Sequence, residues 1–194
     1  GAVVRAIEIA IMAETGHGAV AVVPRPRMAV LPTGNELVAV TEHPGPGQIR
    51  NSNGPMLMAL GRRAGAETFD LEVARDSHEH LTQRIADGLT HDILVLSGGV
   101  SAGTFDLVPQ VLAEQGVEPV FHKVALRPGK PLWFGIKRDE AAGRTVLVFG
   151  LPIAGRLQKT LEQAPAGGIL VHELLGMPLH GHGKLAVGCF DALD

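Results

Sequence analysis

The chain of 194 residues has one cysteine, Cys189, and no long hydrophobic run. A single cysteine excludes an internal disulfide and a cysteine-based metal cluster, and it fits the reducing conditions of the cytosol. No apolar stretch reaches the roughly 18 residues that a membrane-spanning helix requires. The first residues have neither the charge order nor the cleavage site of a signal peptide. We therefore expect a cytoplasmic protein that does not bind membranes.

The charge balance argues against a general affinity for nucleic acid. With 17 basic and 20 acidic residues, the formal net charge at pH 7 is −3, so nucleic acid gains no electrostatic attraction. The composition, 45% hydrophobic and 19% charged, is typical of a globular domain. The Walker motif and the dinucleotide fingerprint are absent from the sequence, which leaves the common nucleotide-binding signatures unmatched.

Short apolar runs alternate with helical patterns over the first part of the chain. We predict strands at 28–31, 68–74 and 93–96, and helices at 53–64, 77–89 and 105–115. Ser52 or Asn53 would cap the first of these helices, and Asp76 or Ser77 the second. This alternation is typical of βαβ units and predicts an α/β fold with a parallel sheet. Three later strand-like runs, 117–126, 131–137 and 145–149, have little helix between them. They predict antiparallel or edge strands in the second half.

The same patterns suggest a division of the chain into three parts. Residues 1–26 form a lead-in helix and a proline-stiffened connector. Residues 27–175 form the main domain, which we expect to end in a helix over about 154–175. Residues 176–194 are either a tail or the stub of a C-terminal domain.

A glycine-rich turn follows the most apolar of the predicted strands. Ser97, Gly98 and Gly99 end the run 93–96, and a predicted helix begins just before Asp106. Glycines let a backbone approach closely, and a helix N-terminus favours negative charge, so the turn is a candidate phosphate cradle. An ordinary βα turn, in which Asp106 only interacts with the helix dipole, explains the same residues equally well.

Charged residues fall on other turns that follow predicted strands. Glu36, Asp76 and Asp106 lie on three such turns, where an open α/β sheet binds its ligands. Acids of this kind would hold Mg²⁺, while bases would hold phosphate or another oxyanion. The alternatives are surface or helix-capping acids and a solvated basic loop. The candidate bases lie around a proline-rich segment: Lys123, Arg127 and Lys130.

Five motifs together resemble one known family. They are Thr-Gly-Asn-Glu-Leu at 33–37, Gly-Gln-Ile-Arg-Asn-Ser-Asn at 47–53, Ser-Gly-Gly-Val-Ser-Ala-Gly-Thr-Phe-Asp at 97–106, Val-Ala-Leu-Arg-Pro-Gly-Lys-Pro at 124–131 and Phe-Gly-Leu-Pro at 149–152. Their order and spacing are similar to those of MoeA, the molybdenum insertase, and of the gephyrin E domain. The resemblance covers about residues 1–175 and implies the molybdopterin-binding, MogA-like domain. That domain is a three-layer α/β/α fold with a mostly parallel sheet.

The resemblance also implies a reaction and a set of site residues. The family inserts molybdate into adenylylated molybdopterin with Mg²⁺ and releases AMP, and a second subunit completes its active site, so a homodimer is implied. By position, Glu36, Asp76 and Asp106 would be catalytic, with Glu36 and Asp106 at the metal. The turn from Ser97 to Ser101, with Gly98 and Gly99, would cradle the pterin phosphate. Lys123, Arg127 and Lys130 would hold the anionic ligand or molybdate, and Thr33 and Gly103 are further implied binding residues.

Three departures from the family pattern keep other functions open. Asn35 stands where the family usually has Asp, and Arg127 stands where it usually has Lys. Leu157 replaces a serine of the family's molybdate region and offers no hydrogen bond. A molybdopterin-binding module without insertase activity is therefore one alternative. A MogA-type molybdopterin adenylyltransferase, which would consume ATP, is another.

Overall fold

The computed structural model describes residues 4–99, 107–122, 132–140 and 143–151. Within these residues a mostly parallel sheet is covered by helices on both faces. The elements, in chain order, are α1 (Ala6–Glu14), β1 (Arg27–Pro32), β2 (Leu37–Val38), β3 (Ile49–Arg50), α2 (Asn53–Arg63), β4 (Glu67–Asp70), α3 (His78–Gly88), β5 (Ile93–Ser97), α4 (Leu107–Glu114), β6 (Glu118–His122), β7 (Trp133–Asp139) and β8 (Arg144–Leu151).

The main sheet of the described chain has the strand order β4-β1-β5-β8-β7-β6. Strands β4, β1, β5 and β8 pair in parallel, whereas β7 is antiparallel to both of its neighbours. Every residue of β5 is buried, as expected for the central strand of a parallel sheet that is covered on both faces. The predicted parallel sheet is confirmed, and so are the antiparallel or edge strands at β6 and β7. The third run, 145–149, lies in β8, an inner strand that is antiparallel to β7 but parallel to β5.

The two faces of β1 show how the three layers form. Ala29 and Leu31 pack in one apolar cluster with residues of α3 and α4. Met28 and Val30 point the opposite way and pack in a second cluster with residues of α2. Successive side chains of a strand alternate between faces, so a continuous apolar strand buries both layers at once. The predicted three-layer α/β/α architecture is confirmed.

The second predicted strand is shorter than expected. We predicted a strand over 68–74, but β4 ends at Asp70 because the chain turns sharply at Glu72, whose φ of 59° is left-handed. The Asp70 carboxylate accepts a hydrogen bond from the Glu72 N–H at 2.9 Å and supports this turn. The turn brings Ala74 beside Thr33 in an isolated parallel bridge, so the prediction was wrong beyond Asp70.

Local hydrogen bonds also change how two helices begin. We expected Ser52 or Asn53 to cap α2, but Asn51 Oδ1 accepts from the Gly54 N–H at 2.9 Å. For α3 the candidates were Asp76 and Ser77, and Ser77 is the cap. The short parallel pair formed by β2 and β3 was not predicted, because strands of two residues leave no apolar period in a sequence.

The N-terminal segment is helical as expected, but α1 buries none of its side chains. The Glu8 carboxylate accepts hydrogen bonds from the Arg5 guanidinium and from the Arg5 N–H, and the side-chain bond lowers the pKa of Glu8 to about 2. No helix in the described residues combines the length and apolar character needed to cross a bilayer. The predicted helix over 154–175 and the tail 176–194 lie outside the described residues.

Candidate functional site

The candidate site lies where the strand order reverses. From β1 the chain passes to β4 on one side and then to β5 on the other, and parallel sheets bind ligands beyond the strand ends at such a point. Thr33 directly follows β1, and Ser97 is the last residue of β5. The Thr33 N–H donates to the Ser97 carbonyl at 2.9 Å. The structure thus brings together two of the residues that the sequence predicted.

Gly98 and Gly99 are required by their close approach to Thr33. Both have a left-handed φ, 101° and 63°. A methyl group on Gly98 would lie 2.5 Å from the Thr33 carbonyl oxygen, and one on Gly99 would lie 2.9 Å from the Thr33 Oγ1 and 2.7 Å from the Val108 Cγ2. Any other residue would displace Thr33 or strain the backbone, so these glycines hold the ends of β1 and β5 together.

The Thr33 hydroxyl is the most unusual group at this edge. Thr33 is 1% exposed, and its Oγ1 forms no hydrogen bond with the described protein. A buried polar group without a partner costs about 1–3 kcal/mol. Proteins rarely keep such groups except where a ligand, a water molecule or an ion satisfies them.

Asn53 is a second buried polar group at the same edge. Its Nδ2 donates to the Ser97 Oγ at 2.6 Å, which joins the first residue of α2 to the end of β5. Asn53 is 8% exposed, and its Oδ1 has no partner within the described chain. From the sequence, we expected Asn53 only as a possible cap of α2. Its place in the motif 47–53 was the available signal for a role in the site.

The backbone N–H groups of this edge are largely used by the protein itself. The Gly98 N–H donates to the Leu151 carbonyl at 3.1 Å, and the Gly34 N–H donates to the Ala74 carbonyl at 3.0 Å. Neither N–H is therefore free to bind an anion. The polar side chains that the structure brings together here are neutral: the hydroxyls of Thr33 and Ser97 and the amide of Asn53.

The turn that carries Glu36 and the turn that carries Asp76 are hydrogen-bonded to each other. We call the residues that join them, Asn35, Arg75 and Asp76, the loop clasp. The Asn35 N–H donates to Asp76 Oδ2 at 3.2 Å, and the Asp76 N–H donates to Asn35 Oδ1 at 3.1 Å. The Arg75 Nη1 donates to the Asn35 and Leu37 carbonyls at 3.2 and 3.1 Å. One carboxylate oxygen of Asp76 therefore positions the clasp.

Glu36 lies on the same turn as the clasp and is half-buried. Its carboxylate folds over Gly34, so that a methyl group on Gly34 would lie 2.5 Å from Glu36 Oε2. Glu36 and Asp76 thus belong to two turns that are hydrogen-bonded to each other. No group of three or more metal-ligating side chains occurs within the described residues.

The remaining predicted site residues lie outside the described residues: Ser101, Gly103, Asp106, Lys123, Arg127 and Lys130. The described residues on either side of 123–131 lie at the same edge of the sheet as Ser97. His122 pairs with Trp133, which pairs with Gly150, which in turn pairs with Leu96 next to Ser97. His122 and Trp133, on either side of 123–131 in the sequence, therefore lie at the edge that carries Thr33 and Gly98.

The fold and this edge define a class of protein: a three-layer α/β/α domain with buried polar side chains at its strand-order reversal. Residues 29–154 match the model of a family described as the probable molybdopterin binding domain. The match covers more than half of the chain, and the chain belongs to this molybdenum cofactor biosynthesis family. The resemblance inferred from the five motifs is confirmed.

Curated relatives agree with this assignment. The molybdopterin molybdenumtransferase of Staphylococcus aureus is 38% identical over 130 residues, which are 66% of this chain and 31% of the relative. That of Staphylococcus epidermidis is 39% identical over 122 residues, 62% of this chain and 29% of the relative. The chain therefore spans about a third of the length of these curated relatives.

Solved structures show the same fold. A molybdopterin biosynthesis MoeA protein from Pyrococcus horikosii is 35% identical, with a TM-score of 0.60 over 75% of this chain and 34% of that one. The tungsten cofactor synthesizing protein MoaB from Pyrococcus furiosus has a TM-score of 0.53 at 15% identity, over 73% of this chain and 91% of that one. The latter likeness concerns the fold alone.

Proposed function

We propose that this chain is the molybdopterin-binding domain of a molybdopterin molybdotransferase, which inserts molybdate into adenylylated molybdopterin and releases AMP. The family match and the names of the relatives support molybdenum cofactor biosynthesis. The observation that carries the binding site is the buried Thr33 hydroxyl at the strand-order reversal, which has no hydrogen-bond partner among the described residues. A bound ligand would supply the missing hydrogen bond and offset its cost.

The donor set suits Mg²⁺ as a cofactor. Mg²⁺ is usually held by one or two carboxylates together with substrate phosphates and water. Glu36 and Asp76 lie on two hydrogen-bonded turns, and Asp76 keeps Oδ1 outside the clasp. Glu36 and Asp106 would hold the ion, which when bound would neutralise charge on the pyrophosphate. Asp76 would orient this acidic edge through its bonds to Asn35.

The protein's own residues would bind and orient the substrate. Thr33, Ser97, Gly98 and Gly99 would form the floor of the binding site, because their backbone is locked by the sheet. Ser101 and Gly103 would continue this turn. The bases would hold the anionic part of the ligand and molybdate: Lys123, Arg127 and Lys130. We further propose a cytoplasmic homodimer, whose second subunit would complete the active site.

The binding site is tested by titrating the 194-residue chain with molybdopterin and with adenylylated molybdopterin in a calorimeter. We expect the wild-type chain to bind, and we expect Thr33→Val, which removes the hydroxyl but retains the shape, to bind about tenfold more weakly because one buried hydrogen bond is lost. Equal affinity of the two proteins would contradict a role for Thr33 in the site.

The reaction is tested with the chain in its full-length context. Release of AMP from adenylylated molybdopterin that depends on molybdate and Mg²⁺ would support the insertase. Binding without AMP release would instead indicate a binding module. Exchange of label between ATP and pyrophosphate would indicate a molybdopterin adenylyltransferase, since only that activity consumes ATP. Sedimentation of the same protein would test the homodimer.

A further inference from the structure

Asn53 is unusual because only one of the two polar atoms of its side-chain amide forms a hydrogen bond within the described chain. The side chain is buried at the N-terminus of α2, and its Nδ2 donates to the Ser97 Oγ at 2.6 Å. Its Oδ1 has no partner within the described chain. Asn51, two residues earlier, is equally buried but satisfied, since its Oδ1 accepts from the Gly54 N–H at 2.9 Å. The helix therefore does not need Asn53 as its cap.

We propose that Asn53 is a ligand-contacting residue, and that the group it receives is a hydrogen-bond donor, an N–H or O–H, and not an anionic oxygen. An amide oxygen can only accept, so an unprotonated phosphate oxygen beside it would be repelled. The Ser97 Oγ accepts from Asn53, which leaves its own hydrogen available to the ligand. The Thr33 hydroxyl next to Gly98 and Gly99 can either donate or accept.

The arrangement fits the neutral, polar part of a ligand better than its charged part. Gly98 and Gly34 use their N–H groups within the protein, so neither can donate to an anion at this edge. The inference rests on the function proposed above, and adenylylated molybdopterin carries suitable donors at two places. These are the N–H groups of the pterin ring and the hydroxyl groups of the ribose. The phosphates would lie away from Asn53.

Two substitutions of Asn53 distinguish whether the ligand group beside it is a hydrogen-bond donor or an anion. Asn53→Asp keeps an acceptor of the same shape but adds negative charge, whereas Asn53→Leu keeps the volume and removes the acceptor. Asn51→Asp is the matched control, because it adds the same charge two residues away and retains the cap of α2. Thermal unfolding of each variant shows whether the fold is retained.

The measurement is the affinity of the full 194-residue chain for adenylylated molybdopterin. We expect Asn53→Leu to bind at least about tenfold more weakly and Asn53→Asp to stay within about threefold of wild type. Asn51→Asp should bind as wild type does. Titration with 6-hydroxymethylpterin and with adenosine then identifies whether the pterin or the ribose supplies the donor. Only the probe whose donor contacts Asn53 should lose affinity in Asn53→Leu.

Other outcomes overturn the inference. If Asn53→Asp binds more weakly than Asn53→Leu, the group at this position is an anion. If the folded variants all bind as wild type does, Asn53 is a structural residue only. In both cases the wild-type chain still binds, and the proposed function stands. If the wild-type chain does not bind adenylylated molybdopterin at all, the proposed function itself fails.

Discussion

The main sheet has one edge where its parallel strands begin and an opposite edge where they end, and the polar groups at these two edges are hydrogen-bonded differently. At the edge where the parallel strands begin, Arg144 donates to the carbonyls of Leu89, Thr90 and His91 at 3.0–3.1 Å. There too, the Arg27 N–H donates to the Asp92 carboxylate at 2.7 Å. At the opposite edge, Thr33 Oγ1 and Asn53 Oδ1 are buried without partners in the described chain, and the remaining two such atoms lie on α3.

We associate the first edge, where the parallel strands begin, with the stability of the fold, and the second edge, where they end, with ligand binding. Hydrogen bonds at the first edge join the end of α3 to the sheet and are complete within the protein. The second edge has two glycine-dependent backbone contacts and two side-chain oxygens without partners in the described part of the chain, an arrangement that a protein tolerates where a ligand binds. We expect substitutions at the first edge to change the free energy of unfolding, and those at the second to change ligand binding.

The largest effect on stability is expected from Gly98→Ala, because this contact holds the second edge together. The new methyl group would meet the Thr33 carbonyl oxygen, and the left-handed φ adds strain. We expect the free energy of unfolding, measured in urea, to fall by about 3 kcal/mol. Gly143→Ala is the control: its φ is also left-handed but nothing lies within 4 Å, so a loss of only about 1 kcal/mol is expected. Equal losses would contradict the steric argument.

Arg144→Ala tests the first edge. Three carbonyl groups would lose a charged donor, so we expect the free energy of unfolding to fall by about 2 kcal/mol while affinity for molybdopterin is unchanged. Arg144→Lys keeps the charge but reaches fewer carbonyls, so its loss should be smaller. Weaker ligand binding in a folded Arg144 variant would show that the two edges are not independent.

Thr→Val substitutions at the two edges should have opposite signs. Thr33→Val removes a buried hydroxyl that has no partner within the described residues, and we expect the free energy of unfolding to rise by up to about 1 kcal/mol. Thr90→Val removes a hydroxyl that donates to the Asp87 carbonyl at 2.7 Å, and a loss of about 0.5–1 kcal/mol is expected. A destabilised Thr33→Val protein would mean that its hydroxyl is satisfied in solution.

The smallest effect lies away from both edges, where Glu114 joins α4 to α3. Hydrogen bonds from Gln110 and His78 lower the pKa of this exposed carboxyl below 4.5. A lowered pKa means that these contacts stabilise the fold above pH 4.5 and that their contribution is lost on further acidification. The melting temperatures of wild type and Glu114→Gln should therefore converge as the pH falls from 7 to 3. A constant difference would contradict this assignment.

The sequence predicted most of the elements that form the sheet. Strand β5 was predicted because four consecutive branched apolar residues can only be buried on both faces, and helices α2 and α3 because their apolar residues recur at helical spacing. The extension of the second strand to Ala74 was wrong. Its cause, the left-handed Glu72, has no signal in a sequence that places no glycine there.

The site was predicted in part. Ser97, Gly98 and Gly99 were expected on one glycine-rich turn after a strand, and the resemblance to the family implied Thr33 as a further binding residue. Asn53 was considered only as a cap, because its bond to Ser97 joins residues 44 positions apart. The loop clasp spans a similar separation, which explains why Asp76 was treated as an independent acid. The roles of the acids and bases stay predictions.

By itself, the sequence determined the α/β class and the residues that end the strands. Hydrophobic periodicity, glycine positions and apolar runs indicate these features because each depends on only a few neighbouring residues. Only the tertiary structure decided which strand ends meet, that Thr33 lies against Gly98, and that one atom of Asn53 is left unsatisfied. Strand order brings distant residues to one edge, and burial determines which polar atoms lose contact with water. Both depend on the whole fold.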